Sequence, residues 1–119
     1  METAEVRNDL GIIRVSDRVV AVIARETALH VPGVYAMDDR FSRGLSAVIS
    51  DAEAEGVRVS MKDGGVVIDL YIAVSHGGRV PALALELQEA VKESVGDSTG
   101  LRVNAVNVNV ERIVFHEEK

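Results

Sequence analysis

His30, His76 and His116 are the histidines of this chain. Imidazole is the side chain most often used to move a proton near neutral pH or to hold a metal. Their spacing supports neither use. Paired metal-binding histidines on one helix sit four apart, as in HExxH, and no two here do. We read them as surface histidines, with no metal site and no cofactor. His76 is set apart by its position, because it opens the run His76-Gly77-Gly78-Arg79 between an expected strand and the start of an expected helix. Backbone N–H groups, the helix dipole and the Arg79 guanidinium could together hold an anion there. The run has neither the Walker spacing nor the GxGxxG spacing, so its plain reading is a strand-to-helix turn. Gly77, Gly78 and Arg79 remain the candidate anion turn.

Other groups with chemical potential are equally isolated. Ser98 and Thr99 in "DSTG" lack a GxSxG elbow and a base placed by sequence; they read as hydroxyls that cap a turn. Glu53 and Glu55 lie on a possible helix with no partner constellation and read as solvated charge. The chain has no cysteine, so thiolate chemistry and a disulfide framework are absent. No catalytic residue is assigned, and an enzyme is the least favoured class.

Composition narrows the partners. The net charge is −6 and aromatic residues make up 3%. Nucleic-acid binders present a basic stripe and often stacking aromatics. Here bases sit beside acids, as in Asp39-Arg40 and Glu111-Arg112. The N-terminus lacks the regions of a signal peptide, and no apolar run approaches the ~20 residues that span a bilayer. The expectation is a cytoplasmic protein with no direct membrane span.

The elements that would position these residues follow from periodicity. Residues 1–10 read as a loose polar lead-in, and "GIIRVS" at 11–16 as a short strand or extended segment. Ser16 suits an N-cap, with Asp17 in the first turn. Val19, Ile23 and Thr27, with Val20, Ala24 and Ala28, form one stripe at helical spacing, and Pro32-Gly33 stops that helix near His30. "VYAM" at 34–37 is a brief apolar stretch. Residues 38–55, with Phe41, Leu45, Val48, Ile49 and Ala52 spaced at three and four, read as a short, weak helix or a mobile insertion that orders only against something, and Gly56 closes it.

"VRVSMK" at 57–62 alternates, "DGG" at 63–65 signals a hairpin turn, and "VVIDLYIAVS" returns. Its inner row is Val66, Ile68, Leu70, Ile72 and Val74; its outer row is Val67, Asp69, Tyr71, Ala73 and Ser75. A second helix starts near Pro81, buries Leu83, Leu87, Val91 and Val95, and ends at Gly96. The fold class expected is α+β: a two-layer sandwich with a small mixed sheet (the β-hairpin plus the C-terminal strand) and two helices on one face, all in one domain, 1–119. The last strand should run parallel to the second hairpin strand; its sheet neighbour is left open.

"LRVNAVNVNVERIVF" at 101–115 sets Val106, Val108 and Val110 in the inner row. Asparagine, a poor strand former, occupies the alternate positions. Asn107, Asn109 and Glu111 then share the helix-free face with Asp69 and Tyr71, and these five are the candidate interaction face. Near Glu111 the alternation slips, with Arg112 in an inner slot and Ile113 and Phe115 in outer ones, which a bulge or a departure from the sheet would explain.

The chain resembles the alkaline shock protein family, the Gls-type envelope stress response proteins of bacteria. The likeness rests on "GIIRVSDRVVAVIARETALHVPGVYAM", "GVRVSMKDGGVVIDLYIAVSHGGRVPALALELQEAVKESV" and "TGLRVNAVNVNVERIVF" in that order. Where family members commonly carry an aromatic before the turn glycine, this chain has His76. The resemblance implies a non-enzymatic cytoplasmic protein tied to envelope or alkaline stress. It implies a homo-oligomer that sits near the membrane through a membrane-anchored protein partner, and it carries over no catalytic residue. Against this stand a small anion- or metabolite-binding module using the 76–79 turn and, least favoured, a K-homology-like nucleic-acid binder.

Overall fold

Strict alternation over residues 66–74 and helical spacing over 83–95 produce the central strand of the sheet and the longer of the two described helices. The structure, a computed structural model, describes residues 3–38, 55–62 and 64–115. In chain order the elements are β1 (Thr3–Asn8), β2 (Gly11–Ser16), α1 (Asp17–Leu29), β3 (Val34–Met37), β4 (Val57–Lys62), β5 (Gly65–Ser75), α2 (Val80–Thr99) and β6 (Arg102–Val114). The architecture is α+β, with the two helices against one face of a mixed sheet, as the sequence implies. Glu53, His116 and nearly all of the proposed mobile insertion lie outside the described residues.

The N-terminus departs from expectation. Residues 3–8 are not a loose lead-in but the first strand of an antiparallel hairpin, paired with β2 from Thr3↔Ser16 to Asn8↔Gly11. The Asn8 side chain accepts a hydrogen bond from the Leu10 N–H at 2.8 Å and so closes the turn. Ala4, Val6 and Val15 pack against the core at the base of this hairpin, while Leu10 at its tip is 97% exposed. Only two apolar positions alternate in β1, too few for a periodicity signal.

Ser16 caps α1 as expected, its Oγ accepting from the Val19 N–H at 3.3 Å. The helix buries Val20, Ala21, Ala24 and Ala28, and ends at His30 ahead of Pro32-Gly33. Its buried stripe is turned toward Ala21, leaving Val19 exposed. The Thr27 hydroxyl donates to Ser94 Oγ at 2.8 Å, which ties α1 to α2. α2 buries Leu87, Val91 and Val95 but runs three residues past the expected stop at Gly96. Thr99 Oγ1 donates to the Val95 carbonyl at 2.7 Å and accepts from the Leu101 N–H at 3.1 Å. Gly100, at φ 76°, supplies the left-handed cap that releases the chain. Ser98 and Thr99 thus belong to the last helical turn.

β5 pairs on both edges. β6 runs parallel along one, from Gly65↔Arg102 to Ser75↔Val114. β4 and β3 both pair antiparallel with it, β4 along residues 65–70 and β3 along 72–74. Tyr71 fixes their relation. Its N–H donates to the Gly56 carbonyl and its carbonyl accepts from the Asp38 N–H, each at 2.8 Å. Both groups of one strand residue point to the same edge, so β3 and β4 occupy one edge in succession. The chain leaves that edge at Asp38 and rejoins it at Gly56, opposite Tyr71. Gly56 has φ 79°, and a Cβ there would lie 2.6 Å from Met37 Cβ and 2.9 Å from the Tyr71 carbonyl. No other residue type fits the point of return.

β6 carries two register shifts, which leave Asn104 and Glu111 as the extra residues. The second is the bulge anticipated near Glu111. It returns Arg112, paired with Ala73, to the outer row. Arg112 Nε donates to Asp38 Oδ2 at 2.8 Å, and Asp38 is only 4% exposed. Because β6 and β3 flank β5 on opposite sides, this ion pair crosses the central strand, in line with Ala73, which is fully buried in the outer row.

The inner row of β5 is buried throughout, and Ile68 is fully enclosed with Leu70, Leu87 and Val91. Ile68→Ala is expected to lower unfolding free energy by about 2–5 kcal/mol. Urea denaturation checks this; a loss under about 1 kcal/mol would place Ile68 outside the core.

Candidate functional site: the helix-free sheet face

Asp69 and Asn107 are register partners on β5 and β6, as are Tyr71 and Asn109. The four side chains therefore stand together on the face away from the helices. Asn107 Nδ2 donates to Asp69 Oδ1 at 2.7 Å, and Asn109 Nδ2 donates to the Leu70 carbonyl at 3.1 Å. These bonds explain asparagine in a strand. Each amide bridges to the neighbouring strand, a use that valine or threonine could not reproduce with the same reach. Glu111 sits beside them in the bulge. From β4, the Arg58 guanidinium lies 5.3 Å from the centre of the Tyr71 ring, in cation–π range. The face is polar, carries both charge signs and is tied together by cross-strand contacts.

Three residues that frame this face escape sequence inspection. Asn104 donates from Nδ2 to the Lys62 carbonyl at 3.1 Å and accepts from Arg102 Nε at 2.9 Å. A Cβ on Gly65 would come within 2.8 Å of its amide group, so Gly65 makes room for it. Asn104 is out of phase with Asn107 and Asn109 until the bulge is known, and this hid it. Asp38 and Arg112 lie 74 positions apart, and no local signal joins them. The recurrence of asparagine at 104, 107 and 109 was the one available hint.

The 76–79 turn lies elsewhere, at the helix-covered end of the sheet. Arg79 is the N-cap of α2 but makes no side-chain cap bond, and Pro81 falls in the first turn. His76, Gly78 and Arg79 line a cleft of about 360 Å³ together with Pro32, Val74 and Glu86. Gly77 does not line it. Glu86 places a carboxylate in the same cleft and so opposes an anion there. His76 stacks on Phe115, ring centres 4.4 Å apart and planes 27° apart. That stacking occupies the imidazole face. His30 Nδ1 donates to the Glu26 carbonyl at 2.7 Å. Among the described residues no three His, Asp or Glu side chains converge as a metal site, and no helix is long and apolar enough to cross a membrane.

Residues 5–115 match the model of the alkaline shock protein 23 family, described as having a cell envelope-related function. Protein YqhY of Bacillus subtilis (strain 168) is 31% identical over 107 residues, covering 89% of this chain and 79% of YqhY. Protein YloU of the same strain is 30% identical over 112 residues, covering 92% of this chain and 93% of YloU. Protein Spy1614 of Streptococcus pyogenes serotype M6 is 30% identical, covering 93% and 94% of the two chains. Among solved structures, MamM-CTD 215-293 superposes with a TM-score of 0.50 at 22% identity, covering 82% of this chain and 99% of its own. That likeness concerns the fold alone. With 111 contiguous residues matched, from Glu5 to Phe115, the chain belongs to the alkaline shock protein 23 family, whose members have a cell envelope-related function.

Proposed function

We propose that this chain is a non-enzymatic, self-associating scaffold of the cytoplasm that serves the envelope through a protein partner, one anchored in the membrane. The observation that carries the reading is the helix-free sheet face. It is braced by side-chain bonds within the chain, so it presents a fixed pattern of donors and acceptors at little ordering cost. Asp69, Tyr71, Asn107, Asn109 and Glu111 would meet the partner there, with Tyr71 as the amphipathic anchor. Membership in a family with a cell envelope-related function supports the same placement. Light scattering across protein concentration tests self-association, and crosslinking in alkaline-stressed cells tests the partner.

Asn107→Lys combined with Asn109→Lys separates a working face from a solvated one. Each substitution removes one cross-strand bond, so the fold should survive with a loss of about 1–2 kcal/mol. Two added charges must be desolvated at any contact, so crosslinking to the partner should fall by at least about tenfold. Unchanged crosslinking by a normally folded double variant would remove the face from the proposal.

A second reading, a small anion- or metabolite-binding module built on the uncapped start of α2, sets Arg79 and the helix dipole against the Glu86 carboxylate in the cleft at His76 and Gly78. On that reading inorganic phosphate at about ten times its dissociation constant stabilises the chain by about 1.4 kcal/mol. The melting temperature then rises by a few degrees, and Arg79→Ala abolishes the rise. A melting temperature indifferent to phosphate in the unsubstituted chain eliminates the module.

A further inference from the structure

The β1–β2 hairpin stands off one end of the sheet. Thr3 and Ala4, where it begins, lie beside Gly64 and Gly65 at the start of β5. β5, with 11 residues, runs about 36 Å from there to Ser75, and six hairpin residues span about 20 Å. The molecule measures 58 Å along its long axis and 31 Å across, so the hairpin prolongs that axis and does not fold back. Its tip is the pair Asp9-Leu10, between the register partners Asn8 and Gly11. The bond from the Leu10 N–H to the Asn8 side chain holds this turn. Leu10 is the most exposed large apolar residue among those described.

The cleft of about 360 Å³ lies at the opposite end of β5, beside Val74 and Ser75. Pro32, Val80 and Leu83 give it an apolar lining, and Arg79 and Glu86 bring one charge of each sign. Tip and cleft match in charge. The side chains of Asp9 and Arg79 carry no hydrogen bond or ion pair among the described residues. Arg79 and Glu86 are seven residues apart, about two turns and 10 Å along α2. Arg7 and Asp9 are two apart, about 7 Å along the hairpin. Asp9 set against Arg79 brings Arg7 toward Glu86, and the length of the guanidinium side chains covers the difference. Arg7 gives up only a solvent-exposed contact with Glu5 at 3.7 Å, and Glu5 keeps its bond from Arg14 at 3.1 Å.

We propose that the hairpin tip docks in the cleft of a second copy of this chain, with Leu10 entering among Pro32, Val80 and Leu83 and Asp9 pairing with Arg79. This rests on the reading above that the chain self-associates, and names the two surfaces. The Asp9 carboxylate meets both a guanidinium and the positive end of α2. A cleft that already holds the Glu86 carboxylate receives a free anion poorly, but suits a tip that carries both signs. Because tip and cleft sit at opposite ends of one chain, the contact is heterologous. Each copy gives its tip to one neighbour and its cleft to another, and assembly continues as an open row. The helix-free face recurs on every copy of that row, which multiplies its grip on a membrane-anchored partner. A hairpin tip buries less than the ~1,600 Å² of a standard interface, so the row should lengthen only as concentration rises.

Light scattering on the full chain across concentration tests this, with two variants beside it. Leu10→Ser removes the apolar tip and Arg79→Asp sets a carboxylate against Asp9. Both positions are exposed, and thermal melting confirms that the variants fold. The unsubstituted chain should grow in mass with concentration and without a plateau at the dimer. Each variant alone should associate at least about tenfold more weakly. Mixed in equal amounts, they should form a heterodimer that grows no further, because the intact tip of Arg79→Asp fits the intact cleft of Leu10→Ser and the other pair of ends is spoiled. Leu85→Ser, at another exposed leucine of α2 that lies outside the cleft, should assemble as the unsubstituted chain does. Assembly of both variants at full strength, a closed dimer of the unsubstituted chain, or a mixture that stays monomeric would each overturn the docking and leave self-association standing. An unsubstituted chain that is monomeric at every concentration would overturn both.

Discussion

β5 has backbone partners on both sides and helices over one face, and the rest of the molecule is arranged by that constraint. A strand enclosed this way must satisfy every N–H and carbonyl through its neighbours. Its parallel bond to β6 requires a crossover, which α2 supplies by lying over the inner row. Its antiparallel bond to β4 comes from the tight turn at Gly64. Its upper end has no hairpin partner left and takes β3, a segment that follows α1 directly. The inner row of Val66, Ile68, Leu70, Ile72 and Val74 is then the floor on which Leu87, Val91, Val95, Val20 and Ala24 rest.

The interruption at Tyr71 gives the helix-free face its character. With β3 and β4 sharing an edge, the chain must exit and return opposite one residue, and both junctions are held by the Tyr71 backbone. Arg112 crosses β5 to bind the buried Asp38 at the exit. This bond depends on the Glu111 bulge, without which Arg112 would face the helices. Register, bulge and ion pair are thus one device, and the asparagine bridges continue it along β6. A face secured in this manner is suited to meeting a partner with little rearrangement.

Much of this was legible in the residues. The inner and outer rows of β4 and β5, the Ser16 cap, the stop at Pro32 and the slip at Glu111 all follow from alternation and turn chemistry, which are local signals. What escaped was either too short or too distant. β1 offers only Ala4 and Val6 as alternating apolar residues, and its turn at Asn8 is closed by a side chain rather than by a Gly pair. The end of α2 was misplaced because Gly96 resembles a stop, whereas Val95 packing and the Thr99 hydroxyl carry the helix past it. Asp38–Arg112 and Asn104–Lys62 join residues far apart in the chain, and only the sheet brings them together. On the candidate face, the grouping of Asp69, Tyr71, Asn107 and Asn109 was readable from the period-two pattern; the bonds among them were not.

Native-state hydrogen exchange of individual amides addresses the central claim, that β5 is the spine on which the other elements depend. The amides of Val66 to Val74, including Tyr71, should exchange only through global unfolding. Those of β1 and β2, a hairpin exposed along most of its length, should open far more readily. Exchange of the Tyr71 and Ile72 amides at rates matching those of Val6 and Arg7 would contradict the account, because β5 would then be opening locally instead of holding the sheet together.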